Sequence, residues 1–96
     1  MMKALKVEMF DDVFDALADS PEQAANWRVR AELIEEIRGV VIASGWTQVE
    51  AARRCKITQP RMNDLLHDRI SKFSLDALVN IAAALGWMVE LHLKAA

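Results

Sequence analysis

One cysteine, two histidines, three glycines and two prolines are all that these 96 residues hold of the types that build cross-links, metal sites and phosphate loops. With Cys55 alone, no disulfide can form within the chain, and a reducing compartment suits it. A zinc site is excluded by spacing, because one thiol and the widely separated His67 and His92 make no ligand set. No cofactor is expected. No apolar run approaches the about eighteen residues that span a bilayer, and Met1-Met2-Lys3 opens nothing like a signal peptide, so no membrane partner and a cytoplasmic location are expected. Catalysis has little footing either. Glu35 and Glu36 are helix neighbours pointing about 100° apart, which is wrong for an acid/base pair, and no Ser-His-Asp or Cys-His set can be assembled. The reading is of a non-enzyme with no catalytic residues.

What is present is a chain that folds: 53% hydrophobic, 27% charged, room for one domain and one core. The charge is unevenly placed. Residues 1–50 carry five bases and ten acids, a balance of −5, whereas residues 51–96 carry seven bases and four acids, a balance of +3. No base lies between Lys6 and Arg28, while Arg53, Arg54, Lys56, Arg61, Arg69 and Lys72 crowd a short stretch opposed only by Asp64 and Asp68. Such asymmetry suggests a polyanion on one side and a basic partner on the other.

Periodicity divides the chain into an acidic amino-terminal arm and helix (1–19), a helical domain (20–86) and a terminal segment (87–96). Leu5, Val7 and Met9 alternate as in a strand; Phe10, Val13, Phe14 and Leu17 then make a helical stripe. Ser20-Pro21-Glu22-Gln23 starts a long helix running to about Ser44, with Trp27, Ala31, Ile34, Ile37 and Val41 inward. Gly39 interrupts it as a kink or a close contact, and Gly45 stops it. Thr47 caps a helix through Cys55 in which Val49, Ala52 and Cys55 face inward. Thr58 caps another through about His67, with Met62, Leu65 and Leu66 inward and Ile57 plugging the turn. Ser74 starts the last helix, with Leu75, Leu78, Ile81, Ala82 and Leu85 inside and Gly86 the stop. From Trp87 to Lys94 the period changes to two, a strand that must pair with Leu5–Met9 or with a second copy of the chain. Cys55 reads as a small buried hydrophobe, and Trp27, Trp46 and Trp87 as core or interface fillers.

The two short helices and their tight turn form a helix-turn-helix. The second carries a polar outer face of Pro60, Asn63, Asp64 and His67, with Gln59 and Arg61 at its flanks. Gln, Asn and Arg supply paired donors and acceptors for base edges, and the helix is narrow enough to enter a major groove.

Thr47-Gln48-Val49-Glu50-Ala51-Ala52, Ile57 through Leu66, and Lys72-Phe73-Ser74-Leu75-Asp76-Ala77-Leu78 resemble the XRE group of helix-turn-helix regulators, and within it the single-domain antitoxins of HigA type. The resemblance covers residues 12–93. It implies a mainly α fold, a five-helix bundle of lambda-repressor-like type with a central helix-turn-helix and a short carboxy-terminal β-strand. It further implies a homodimer that binds its own double-stranded DNA operator, represses its own transcription and neutralises a small basic toxin, a ribonuclease of RelE-like fold. An orphan or phage-type regulator without a toxin is the alternative.

On that basis Gln59, Pro60, Arg61, Asn63 and Asp64 are the candidate base readers, and Thr47, Gln48, Arg53, Lys56, Thr58, Arg69 and Lys72 the candidate phosphate contacts. Phe10, Asp11, Asp12, Phe14 and Asp15 are candidates for the basic partner, and Trp87, Val89, Leu91 and Leu93 for the dimer. The family has glycine where this chain has Lys56 and Asp68, which predicts non-glycine residues at positive φ in both places. Asp64 and Asp68 oppose phosphate binding unless Asp64 accepts from a cytosine amine.

Overall fold

The computed structural model describes residues 19–95. Within them lie four α-helices and one 3-10 turn: α1 Pro21–Ser44, α2 Gln48–Cys55, α3 Gln59–Leu66, the turn Ile70–Lys72, and α4 Leu75–Ala84. The helix expected on residues 10–17 falls outside the described residues, so four of the expected five helices are seen.

Each start is set by a short hydroxyl side chain. Ser20 Oγ accepts from the Gln23 amide, Thr47 Oγ1 from Glu50, Thr58 Oγ1 from Arg61 and Ser74 Oγ from Ala77, each satisfying one of the amides a helix leaves unpaired at its beginning. Gln23 also reaches back, its Oε1 accepting from the Asp19 amide at 2.6 Å. Gly45, at φ 70°, ends α1.

α2 and α3 end in the same way. The Ile57 amide donates to the Ala52 carbonyl and Lys56 to Arg53; the Arg69 amide donates to Asp64 and Asp68 to Leu65. This is the Schellman pair of bonds, which needs a left-handed residue after the helix. Lys56 (φ 59°) and Asp68 (φ 56°) occupy those places, as the departure from glycine predicts.

α1 lies against α4 and the 3-10 turn, and α2 against α3 and α4. The core is where these meet: Ile34, Met62, Leu65, Leu78, Ala51 and Phe73 are all but sealed from solvent, with Ile37, Val41, Ala52, Cys55, Ile81 and Ala82 around them. Ile57, Leu66, Trp46 and Leu85 close its edges, while Ala24, Ala31, Trp27 and Ile70 pack the beginning of α1 onto the 3-10 turn. Arg30 Nη1 fastens this side by donating to the Phe73 carbonyl at 3.1 Å.

Three expectations are corrected. Val49 is exposed rather than inward, its place taken by Ala51; on a helix only eight residues long, the buried arc is filled by Ala51, Ala52 and Cys55, and Val49 falls outside it. Gly39 is solvent-facing inside an unbroken helix, and a Cβ built there meets nothing within 4 Å, so it marks neither kink nor contact.

Residues 87–95 form no strand, and no strand occurs among the described residues. An extended segment counts as a strand only when a neighbour pairs its backbone, and here the segment runs as irregular chain. It is tied to α4 by the Trp87 amide on the Ala82 carbonyl at 2.9 Å. Val89 is half-buried on the core, while Trp87, Met88, Leu91 and Leu93 are exposed. Trp87 is therefore not a core filler. Between this segment and α1 runs a groove of about 540 Å³ lined by Val29, Leu33, Val40, Leu85, Trp87 and Val89 among others.

Candidate nucleic-acid interface

The geometry of α3 follows from its buried side. Met62 and Leu65 are fully enclosed and Leu66 half so, which fixes the helix axially and rotationally and turns the other side outward. Gln59, Pro60 and His67 are exposed, and Arg61, Asn63 and Asp64 partly so. Pro60 near the start costs no hydrogen bond, since its missing amide would have had no helical partner. The helix has eight residues, about 12 Å, and such an element fits a major groove.

α2 stands beside this start. Gln48 Nε2 donates to the Gln59 carbonyl at 3.4 Å, so the first turns of both helices are held together at the surface. Thr47 and Thr58 use their oxygens as acceptors for the helix caps; each hydroxyl proton is left for an outside acceptor such as phosphate. His67 Nδ1 lies 2.8 Å from the Asn63 carbonyl, an inward engagement at the end of α3.

Arg61 is placed differently from its neighbours. Its guanidinium carbon lies 4.8 Å from the centre of the Phe73 ring, and Nη2 donates to the Lys72 carbonyl at 3.4 Å. The cation over the ring face ties α3 to the segment following the 3-10 turn. In this arrangement Arg61 positions the helix, while Gln59 and Asn63 carry the outward hydrogen-bonding groups.

The charges around α3 are extensively paired. Glu50 receives Arg53 Nη2 and Nε on its two oxygens and Arg54 Nε at 2.6 Å. The Arg53 guanidinium, followed by that of Arg54, holds the Glu50 carboxyl below its ordinary value, and Glu50 in turn raises Arg53. Arg54 also lies over Trp46, 5.0 Å from the ring centre. Asp64 pairs with Arg69 at 2.9 Å and Asp68 with Arg38 of α1 at 3.2 Å. The opposition of Asp64 and Asp68 to phosphate is thus compensated within the chain. Lys56 and Lys72 have no ion pair among the described residues.

Sequence reasoning left Glu50 and Arg38 out of the site. The i, i+3 and i, i+4 spacing of Glu50 to Arg53 and Arg54 is a readable signal; the Arg38–Asp68 pair, thirty positions apart, has none. Phe10, Asp11, Asp12, Phe14 and Asp15 lie outside the described residues.

A family model for the helix-turn-helix domain matches residues 16–94. The chain belongs to the helix-turn-helix domain family. A search of curated proteins finds no match. Membership makes this a mainly helical DNA-binding regulator, and α2, the Lys56-Ile57 turn and α3 are its helix-turn-helix. Among the described residues no cluster of three metal-ligating side chains occurs, and no helix is long and apolar enough to cross a membrane.

Proposed function

We propose that this helix-turn-helix protein is a sequence-specific repressor, cytoplasmic and without catalysis of its own, in which Gln59 and Asn63 read base edges. Pro60 supplies an apolar contact beside them, and Asp64 accepts from a cytosine amine when Arg69 shifts to phosphate. Thr47, Gln48, Thr58, Lys56 and Lys72 hold the backbone. The observation that carries this reading is the outward face of α3, open at Gln59 and Pro60 while Met62 and Leu65 are fully buried behind it. A homodimer is the second part of the reading. Its support is the exposed, alternating Trp87, Leu91 and Leu93 beside half-buried Val89, which a second copy would cover. Two α3 helices would then address half-sites roughly 34 Å apart.

The finer reading, an antitoxin that represses its own operon and neutralises a small basic ribonuclease toxin, is supported by the resemblance to HigA-type proteins and by the −5 balance of residues 1–50. The deciding experiment is a mobility-shift titration on the DNA upstream of the gene, with Gln59→Ala and Asn63→Ala beside the parent. A loss of about 1–3 kcal/mol confined to particular base pairs supports base reading; unchanged binding by both variants overturns it. Deletion of residues 1–19 separates the partner role, since it abolishes neutralisation of the basic protein encoded next to the gene and spares operator binding. A regulator without a toxin has no such neighbour.

A further inference from the structure

Six bases lie between Arg53 and Lys72, yet the structure does not offer them equally to an outside anion. Arg53, Arg54 and Arg69 each face a carboxylate of their own chain, Arg61 rests on Phe73, and Lys56 and Lys72 alone lack both kinds of partner among the described residues. Glu50 is the centre of this arrangement. It sits in the first turn of α2, where the Thr47-Gln48-Val49-Glu50 spacing would allow its side chain to return to the Thr47 amide and complete a reciprocal cap. Its carboxylate instead runs along the helix, both oxygens on the Arg53 fork and one shared with Arg54. The Arg53 fork is thereby presented to a carboxylate in the two-bond manner it would use for a phosphate, and the Arg53 side chain remains 70% exposed.

We propose that Glu50 is an intramolecular competitor for DNA phosphate, holding the Arg53 fork while Arg54 stays over Trp46, so that duplex of arbitrary sequence is bound weakly and discrimination falls to the α3 face. The inference rests on the DNA-binding reading above. A phosphate that takes Arg53 must displace Glu50, and exchanging one anion for another releases little of the counterion atmosphere that drives non-specific binding. The hydrogen bonds of Gln59 and Asn63 to bases are untouched by that exchange. Removing the carboxylate should therefore raise affinity for all sequences by about the same factor, leaving the ratio of specific to non-specific binding to the α3 face.

The test is fluorescence anisotropy of the full chain on a mixed-sequence 30-base-pair duplex between 50 and 200 mM NaCl, comparing the parent with Glu50→Gln, the double variant Glu50→Gln/Arg53→Gln, and Glu90→Gln. Glu90 lies in the carboxy-terminal segment, so its variant changes net charge equally without touching α2. Thermal melts establish that each variant folds. One further phosphate engaged steepens the dependence of log K on log salt by about 0.9, a gain of roughly eightfold at 0.1 M. Glu50→Gln should show this gain, the double variant should return to the parent slope, and Glu90→Gln should stay near the parent. An unchanged slope in Glu50→Gln, or an equal gain in Glu90→Gln, overturns the competitor role while leaving DNA binding intact. Absence of duplex binding by every protein, the parent included, overturns both.

Discussion

Lys56 allows stability and DNA binding to be separated at one position. It occupies the left-handed place after α2, at φ 59°, where a residue with a Cβ is strained by about 1–2 kcal/mol. Glycine there removes the strain but loses about 0.5–1 kcal/mol through the greater freedom of the unfolded chain. The Lys56 ammonium has no ion pair among the described residues, so no further folded-state contact of that kind enters the balance. Lys56→Gly should accordingly gain about 0.5–1 kcal/mol, or roughly 3–6 °C in Tm for a domain of this size, by calorimetry or urea unfolding. Lys56→Ala keeps the strain and should gain nothing. Both variants lose the same charge and should lower duplex affinity alike, flattening the salt slope by about 0.9. A glycine variant no more stable than the alanine variant would refute the argument about strain; a lysine whose removal leaves the slope unchanged would show that it meets no phosphate.

Gly39 faces solvent in the middle of α1 with nothing near an added Cβ, so Gly39→Ala should stabilise by about 1 kcal/mol in the same unfolding assay; a loss would mean that the helix is not regular there. Leu65→Ala, at a fully enclosed position, should cost about 2–5 kcal/mol and abolish DNA binding by releasing α3. Burial pushes the Cys55 thiol up; the folded chain should resist iodoacetamide at a pH where the urea-unfolded chain is alkylated. With the folded value above the unfolded one, stability from this group is intact below the free thiol's range of about 8.5 and declines as pH rises above it. Cys55→Ala should flatten that decline. Leu91→Asp with Leu93→Asp should give a monomer in sedimentation equilibrium and weaken operator binding, whereas an unchanged oligomeric state would place any dimer contact elsewhere.

Helix starts were legible because each depends on a few adjacent residues. Ser20, Thr47, Thr58 and Ser74 bond to amides three positions on, and α1 ends at the expected Gly45. The inner faces of α3 and α4 were legible from spacing, and the positive φ at Lys56 and Asp68 from the positions where glycine is usual. Three kinds of information were not local. Strand formation after Trp87 depends on a pairing neighbour rather than on alternation, and the described chain supplies none. Val49 was misplaced because a two-turn helix gives periodicity too few points to choose among Val49, Ala51 and Ala52. The seat of Arg61 on Phe73 is not legible from its spacing, which is that of an exposed flank, because it depends on the 3-10 turn, eleven positions away along the chain.

The contention that the outward side of α3 lies against a duplex is tested most directly by titrating the isotopically labelled protein with the upstream DNA and following backbone amide shifts. The largest changes should fall at Thr47, Gln48, Lys56 and Gln59 through Asn63, with the Val29–Leu33 stretch of α1 little affected by the DNA itself. Shifts concentrated on α1 and α4, with Gln59 and Asn63 unmoved at saturation, would contradict it.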